Sequence, residues 1–314
     1  MRPDIIATHP PRQAHRPDWL LPLAYAAGML ASGGIRRAIR FLGRAATCPR
    51  ATIGWLAYID AGPLRAVPLA ARLDLAQKIY RPYARRDADL AGRIALLRAH
   101  YDGLAIRLSV AAIARLASGQ SLIVGTLTGR SGRRYDVTMM RDCRFGKEGE
   151  ITLALQACDP NIVLAAVTFS FARAGDGSTL LSLGGLQGPP RPHGRDEVVA
   201  ATRDLHGERP KRAVIAAAGA LGHWLGAGGI AAVSNANHVS HSMNRRGAFH
   251  ADYDGFWEEL GGSRRADGDY DLPIDPPRRS PDEVPAKRRK EWLRRTAAID
   301  DLVGQVRRSL DAAL

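Results

Sequence analysis

The chain has 314 residues, room for one large domain or two ordinary ones at roughly 100–200 residues each. Charged residues make up 24% and hydrophobic residues 46%, which excludes a wholly disordered chain, a fibrous repeat and a multi-span membrane protein. The net charge of +14, from 45 Lys+Arg against 31 Asp+Glu, directs attention to phosphate-rich partners such as nucleic acid, anionic lipid or phosphorylated cofactors.

Residues 1–18 contain Pro3, Pro10, Pro11 and Pro17 and no hydrophobic period, so they read as a tail. Trp19–Ala31 is apolar but far shorter than the ~20 residues that span a bilayer. Pro22 and Gly28 interrupt it, and Arg36, Arg37 and Arg40 follow at once, which disfavours export. It reads as an accessory helix lying against a membrane surface, with a cleaved signal as the alternative. Residues 1–35 thus form a first segment. Residues 36–116 read as helical, with periods over Arg36–Leu42, Leu64–Tyr80, Leu90–Tyr101 and Leu104–Leu116.

The texture changes near residue 117. Ser121–Leu127, Tyr135–Arg141, Ile151–Cys158, Ile162–Ala172 and Thr179–Leu186 are strand-like, separated by glycine-, proline- and asparagine-bearing turns. Short connections predict an antiparallel meander. Arg195–Leu205 and Pro210–Leu225 then read as helices, the second opened by Pro210 and closed by Gly226. Gly229–Val233 reads as a short buried strand, Tyr253–Leu260 as a helix and Asp267–Leu272 as a turn into an extended piece. Ser280–Glu283 has the form of a capping box, and Pro285 offers an alternative start for a helix running to Leu314. Residues 117–275 form an α+β core, and 276–314 a basic C-terminal helix. Cys48, Cys143 and Cys158 show no CxxC spacing; they read as buried small side chains in a reducing cytoplasm.

An ordered series of short segments resembles the VirK/YbjX family of bacterial proteins. It comprises Arg81-Pro82-Tyr83, His100-Tyr101, Thr168–Phe171, Gly185–Pro189, Thr202, His206-Gly207, Arg209–Lys211, Val233–Asn235 with His238, Tyr253–Glu259 and Lys287–Arg289. The resemblance covers residues 36–310. It implies a Gram-negative origin, a link to virulence, and roles in outer-membrane remodelling, export of surface proteins or resistance to cationic peptides. It carries no catalytic residue.

The element order also resembles the GNAT superfamily of N-acetyltransferases: helices, an antiparallel meander, a helix, a further strand, an Asn, then a helix with an aromatic residue. That resemblance implies acyl-CoA as cofactor, held near Gln187, Gly188, Arg191, Arg195, Ser234 and Asn235, with His238 or Glu258 as general base. The superfamily's phosphate loop is missing. Pro189, Pro190 and Pro192 stand there, and Asp196 and Glu197 follow.

Lys287, Arg288, Arg289, Lys290, Arg294 and Arg295 place six cations and Trp292 within nine residues, a basic amphipathic surface for anionic membrane. Nucleic acid fits less well, because the meander has no surface pattern of aromatic residues for base stacking. His238, His241 and His250 lack the acidic or Cys partners of a metal site, so no metal is expected. Two readings stand side by side: an acyltransferase-like envelope protein, and a non-catalytic basic protein on an anionic membrane. Both place the chain in the cytoplasm, peripheral to the inner membrane.

Overall fold

The computed structural model describes residues 17–189, 194–240 and 252–312. The chain divides into two compact units, Met1–Gly62 and Pro63–Leu314.

The first unit has three helices: α1 (Leu21–Ala31), α2 (Ile35–Thr47) and α3 (Pro49–Ala61). Pro22 lies in the first turn of α1, where its missing N–H leaves no helical bond unmade, so it does not interrupt the helix. Pro49 opens α3 in the same way. Inward faces supply Tyr25, Met29, Phe41, Trp55, Leu56 and Ile59 to the core. The Tyr25 hydroxyl donates to Asp60 Oδ1 at 2.6 Å, tying α1 to α3.

The second unit begins with α4 (Leu69–Lys78), α5 (Leu90–Ala105) and α6 (Val110–Ala117). The helix expected from Leu64 starts only at Leu69, because Pro68 is extended and serves as its N-cap. Asp89 and Ser109 cap α5 and α6 through side-chain oxygens. Five strands follow: β1 (Leu122–Thr128), β2 (Arg134–Met140), β3 (Ile151–Cys158), β4 (Asn161–Arg173) and β5 (Thr179–Gln187). All their pairings are antiparallel, as the short turns predict. Then come α7 (Gly194–Asp204), α8 (Pro210–Trp224), β6 (Ala227–Ala232), α9 (Tyr253–Glu259), β7 (Ser263–Arg264), β8 (Tyr270–Leu272) and α10 (Ala286–Ala312).

The class is α+β, with one eight-stranded sheet in the order β1-β2-β3-β4-β5-β6-β8-β7. Among the described residues only β5 and β6 pair in parallel, and the α7–α8 pair supplies the crossover that parallel pairing requires. Central β3 and β4 are buried along consecutive residues, so both faces are covered and their sequences read as apolar runs. Gly226, with φ +74°, ends α8 as its sequence suggests.

At the sheet's other edge, α10 lies along β1. Gln305 accepts from Thr126 N–H at 2.7 Å and donates to Thr126 O at 3.1 Å, so the edge strand's backbone is satisfied by a side chain. Ile299, Leu302, Val306 and Leu310 form the buried stripe of α10. The Ser280 capping box closes a separate short turn, and α10 starts after Pro285. The cysteines differ from expectation: Cys48 is half-buried, while Cys143 and Cys158 are exposed.

Where α4, α5 and the sheet meet, a charged network is buried. Glu150 accepts from Lys78, from Tyr83 at 3.0 Å and from Tyr101 at 2.6 Å, and Arg141 stands 3.4 Å away. Burial by itself would raise the Glu150 pKa, but the Lys78 and Arg141 charges outweigh it and hold the carboxyl at about 2. His100, stacked on Phe171 and accepting its N–H at Nδ1, is pushed down to about 4 by burial.

Both shifts favour the folded state at neutral pH. The His100 contribution is complete above the unfolded value of 6.5 and declines as pH falls toward 4. The Glu150 contribution is complete above 4.5 and declines toward pH 2. Denaturant titrations at a series of pH values should therefore show stability falling in two acid windows. Glu150→Gln should cost about 3–5 kcal/mol at neutral pH and reduce the loss of stability in the lower window.

Candidate functional site

The site forms where β5 outruns its parallel partner. Pairing with β6 ends at Leu183↔Ala232, followed by a last bond from Val233 N–H to Leu183 O at 2.9 Å. Beside this point the β4–β5 register shifts, Thr168 facing Gly185 and Phe169 facing Leu183, so Gly184 is the extra residue of a β-bulge. Beyond it, no strand among the described residues pairs with the β5 edge, and a side chain takes that role. Tyr253 Oη accepts from Leu186 N–H at 3.1 Å and from Gln187 Nε2 at 3.2 Å.

Glu148 enters from the turn before β3. A Cβ on Gly184 would lie 1.8 Å from Glu148 O, and one on Gly185 would lie 1.8 Å from Glu148 Oε2. Glycine is thus required twice for the carboxylate to lie against β5. Glu148 is 6% exposed. Its Oε1 accepts from Gln187 Nε2 at 2.9 Å, while Oε2 has no hydrogen-bond partner among the described residues. A buried carboxylate oxygen without a protein donor is costly, which makes Glu148 a candidate for a role beyond stability.

His238 completes the group. It is buried, meets the Tyr253 ring edge-on with centroids 5.3 Å apart, and has Nε2 3.6 Å from Glu148 Oε1. Its Nδ1 accepts from Ser240 N–H at 3.2 Å, so a neutral ring carries its proton on Nε2, toward the carboxylate. Burial, then the Glu148 charge, raises the Tyr253 pKa, so the phenol keeps its proton at neutral pH. The arrangement places a proton acceptor and a proton donor together beside backbone N–H groups, the components of general acid–base chemistry.

The strand end at 233–235 fixes α9. Asn235 Oδ1 accepts from Tyr253 N–H at 3.0 Å, Asn235 N–H donates to Asp254 Oδ1 at 2.8 Å, and Trp257 Nε1 donates to Val233 O at 2.9 Å. Ser234 gives both its N–H and its hydroxyl to Asp269 Oδ1. Ser234 and Asn235 therefore hold the wall of the site, with Asn235 positioning Tyr253.

Of the residues singled out in the sequence, the structure brings His238 and Gln187 together. Glu258 stands outside the group: it is exposed and accepts from the Tyr270 hydroxyl at 3.1 Å. Gly188 and Arg195 are exposed, Arg195 in the first turn of α7. Arg191, His241 and His250 lie outside the described residues. Arg288 and Arg295 line a cavity, whereas Lys287, Arg289, Lys290 and Arg294 are exposed on α10. Among the described residues no cluster of three or more His, Cys, Asp or Glu could hold a metal ion, and no helix is long and apolar enough to cross a membrane.

Glu148 and the role of Tyr253 escape the sequence reading. Glu148 sits between Gly146 and Gly149 in what reads as a plain turn. The available signal is indirect: paired glycines inside a strand, Gly184-Gly185, announce a bulge or a close approach.

A family model described as "Protein of unknown function (DUF535)" matches residues 32–308. The Escherichia coli (strain K12) protein "Uncharacterized protein YbjX" is 30% identical over 276 residues, covering 86% of this chain and 83% of that protein. No solved structure matches. With a family model over most of its length and a relative at this identity, the chain belongs to the VirK/YbjX (DUF535) family.

Proposed function

We propose that the second unit is a group-transfer core of the GNAT acyltransferase type, acting in the Gram-negative cell envelope from the cytoplasmic face of the inner membrane. The observation that carries the reading is the Glu148–His238–Tyr253 group at the bulged end of β5, where a parallel strand pair comes apart. The thioester end of acyl-CoA fits this chemistry, since Tyr253 holds a proton beside the end of β5 and Glu148. For the phosphate end, residues 190–193 lie outside the described residues, and Arg195 is the nearest described cation of the expected set. Bound acyl-CoA would supply an activated carbonyl and a thiolate leaving group.

Glu148 is better placed than His238 to accept the acceptor's proton, because His238 Nδ1 already accepts from Ser240 and Nε2 carries the ring's proton. His238 then stabilises the carboxylate beside it, and Tyr253 donates its proton to the leaving group. The envelope setting rests on what the resemblance to the VirK/YbjX family implies.

A second reading is favoured by the first unit. On α1 and its preceding turn, Trp19, Leu23 and Leu30 are exposed along one stripe, and on α2 Ile35 and Ile39 are exposed one turn apart, at 61% and 64%. Arg36 and Arg40 stand beside the α2 pair. Exposed apolar side chains flanked by cations match the surface of an anionic bilayer.

Each reading has a direct measurement. Thermal-shift titration with acetyl-CoA and palmitoyl-CoA should raise Tm. Thiol release from the bound thioester should fall about 10²–10⁴-fold in Glu148→Gln and in Tyr253→Phe, with binding retained. No stabilisation by either thioester at millimolar concentration removes the transferase reading. For the membrane reading, flotation with phosphatidylglycerol vesicles should weaken with salt and with Ile35→Ser/Ile39→Ser. Flotation indifferent to both rejects it.

A further inference from the structure

A separate cavity of about 860 Å³ lies between the α7–α8 turn, the start of α8, the end of α9, the 276–285 stretch and α10. Its size falls within the ~300–1,000 Å³ of small-molecule sites. Six arginines line it against three acids, Glu208, Glu259 and Glu291.

The acids do not balance the cations. Glu259 Oε1 serves two of them, accepting from Arg209 and from Arg212 at 3.1 Å. Glu291 also pairs with Arg130, at 3.5 Å. Glu208 Oε2 is 3.7 Å from Arg295 Nε, beyond hydrogen-bond length. Arg278 donates to Asp300. Arg279 and Arg288 have no ion-pair partner among the described residues, and both are exposed to solvent.

Three further features suit an anion with a body attached. Arg209, the N-cap of α8, gives that helix no side-chain cap, and Arg209 and Arg212 at its start line the cavity. His206 is held at φ +56°, a conformation rare outside glycine, where the chain turns from α7 into the cavity wall. Trp292, Pro276 and Pro277 provide a flat apolar wall.

We infer that this cavity is a binding site for a phosphorylated ligand, a phosphomonoester or pyrophosphate with an apolar or aromatic body, its phosphates held by Arg279, Arg288 and Arg295. Guanidinium forks match phosphate oxygens two at a time. A single carboxylate would leave most of the charge excess in place, whereas a phosphomonoester or pyrophosphate brings two or more negative charges. The inference is independent of the acid–base group on β5.

The test uses the full chain with inorganic pyrophosphate and with phosphatidic acid vesicles, and a variant carrying Arg279→Ala and Arg288→Ala. Calorimetry should register pyrophosphate binding that weakens with added salt. The double variant should bind at least tenfold more weakly, with its unliganded Tm unchanged. Competition between pyrophosphate and the vesicles assigns the site to phosphate as such, while vesicle binding lost in the double variant but resistant to pyrophosphate assigns it to a lipid headgroup. Overturning results are equal binding of either probe by wild type and double variant, or no binding of either probe at millimolar concentration.

Discussion

The second unit is organised by the point at which β5 and β6 part. A parallel pair that ends at Leu183 leaves four residues of β5 with an edge that needs donors and acceptors. The chain meets that requirement with side chains. Tyr253 takes the Leu186 N–H, so α9 must begin where Asn235 can hold it, and Gly184 must bulge so that Glu148 can approach. Removing the backbone approach at Gly184 and Gly185 would displace the carboxylate, and with it the partners of Gln187 and His238. A defect in sheet pairing and a polar cluster are thus one feature.

Two buried glutamates, separated by one residue, show how differently the fold treats charge. Glu150 is surrounded by Lys78, Arg141, Tyr83 and Tyr101, and its pKa is held at about 2. Such a group is satisfied in one protonation state and ties α4 and α5 to the sheet. Glu148 has one amide donor, an imidazole beyond hydrogen-bond length, and one oxygen without a donor. An incompletely satisfied carboxylate is a poor structural choice and a suitable proton acceptor. The contrast separates the residue that holds the fold from the one proposed to act.

The positive charge has more than one destination. Some arginines are absorbed by internal pairs, as Arg141 is by Asp74 and Glu150. Others line the cavity against α10, and others flank exposed apolar residues in the first unit. A cation that lines a concave cavity is suited to a molecule, whereas one beside an exposed isoleucine is suited to a surface.

The α+β class, the antiparallel meander, the Pro210–Gly226 helix and the family were legible from residue patterns, because turns, caps and hydrophobic periods are local. Gln187 and His238 were legible as polar residues at strand ends. Glu148 was not, since its meaning depends on Gly184 and Gly185, more than thirty residues along the chain. Nor could one sequence distinguish Arg288 and Arg295 from Arg289 and Arg294. Helical spacing says which cations share a face, but not what stands opposite. Local chemistry set the elements, the charge and the list of polar candidates. Only the packing of α9 and Glu148 against an unpaired strand edge, and of α10 across the α8 N-terminus, decided which of them meet.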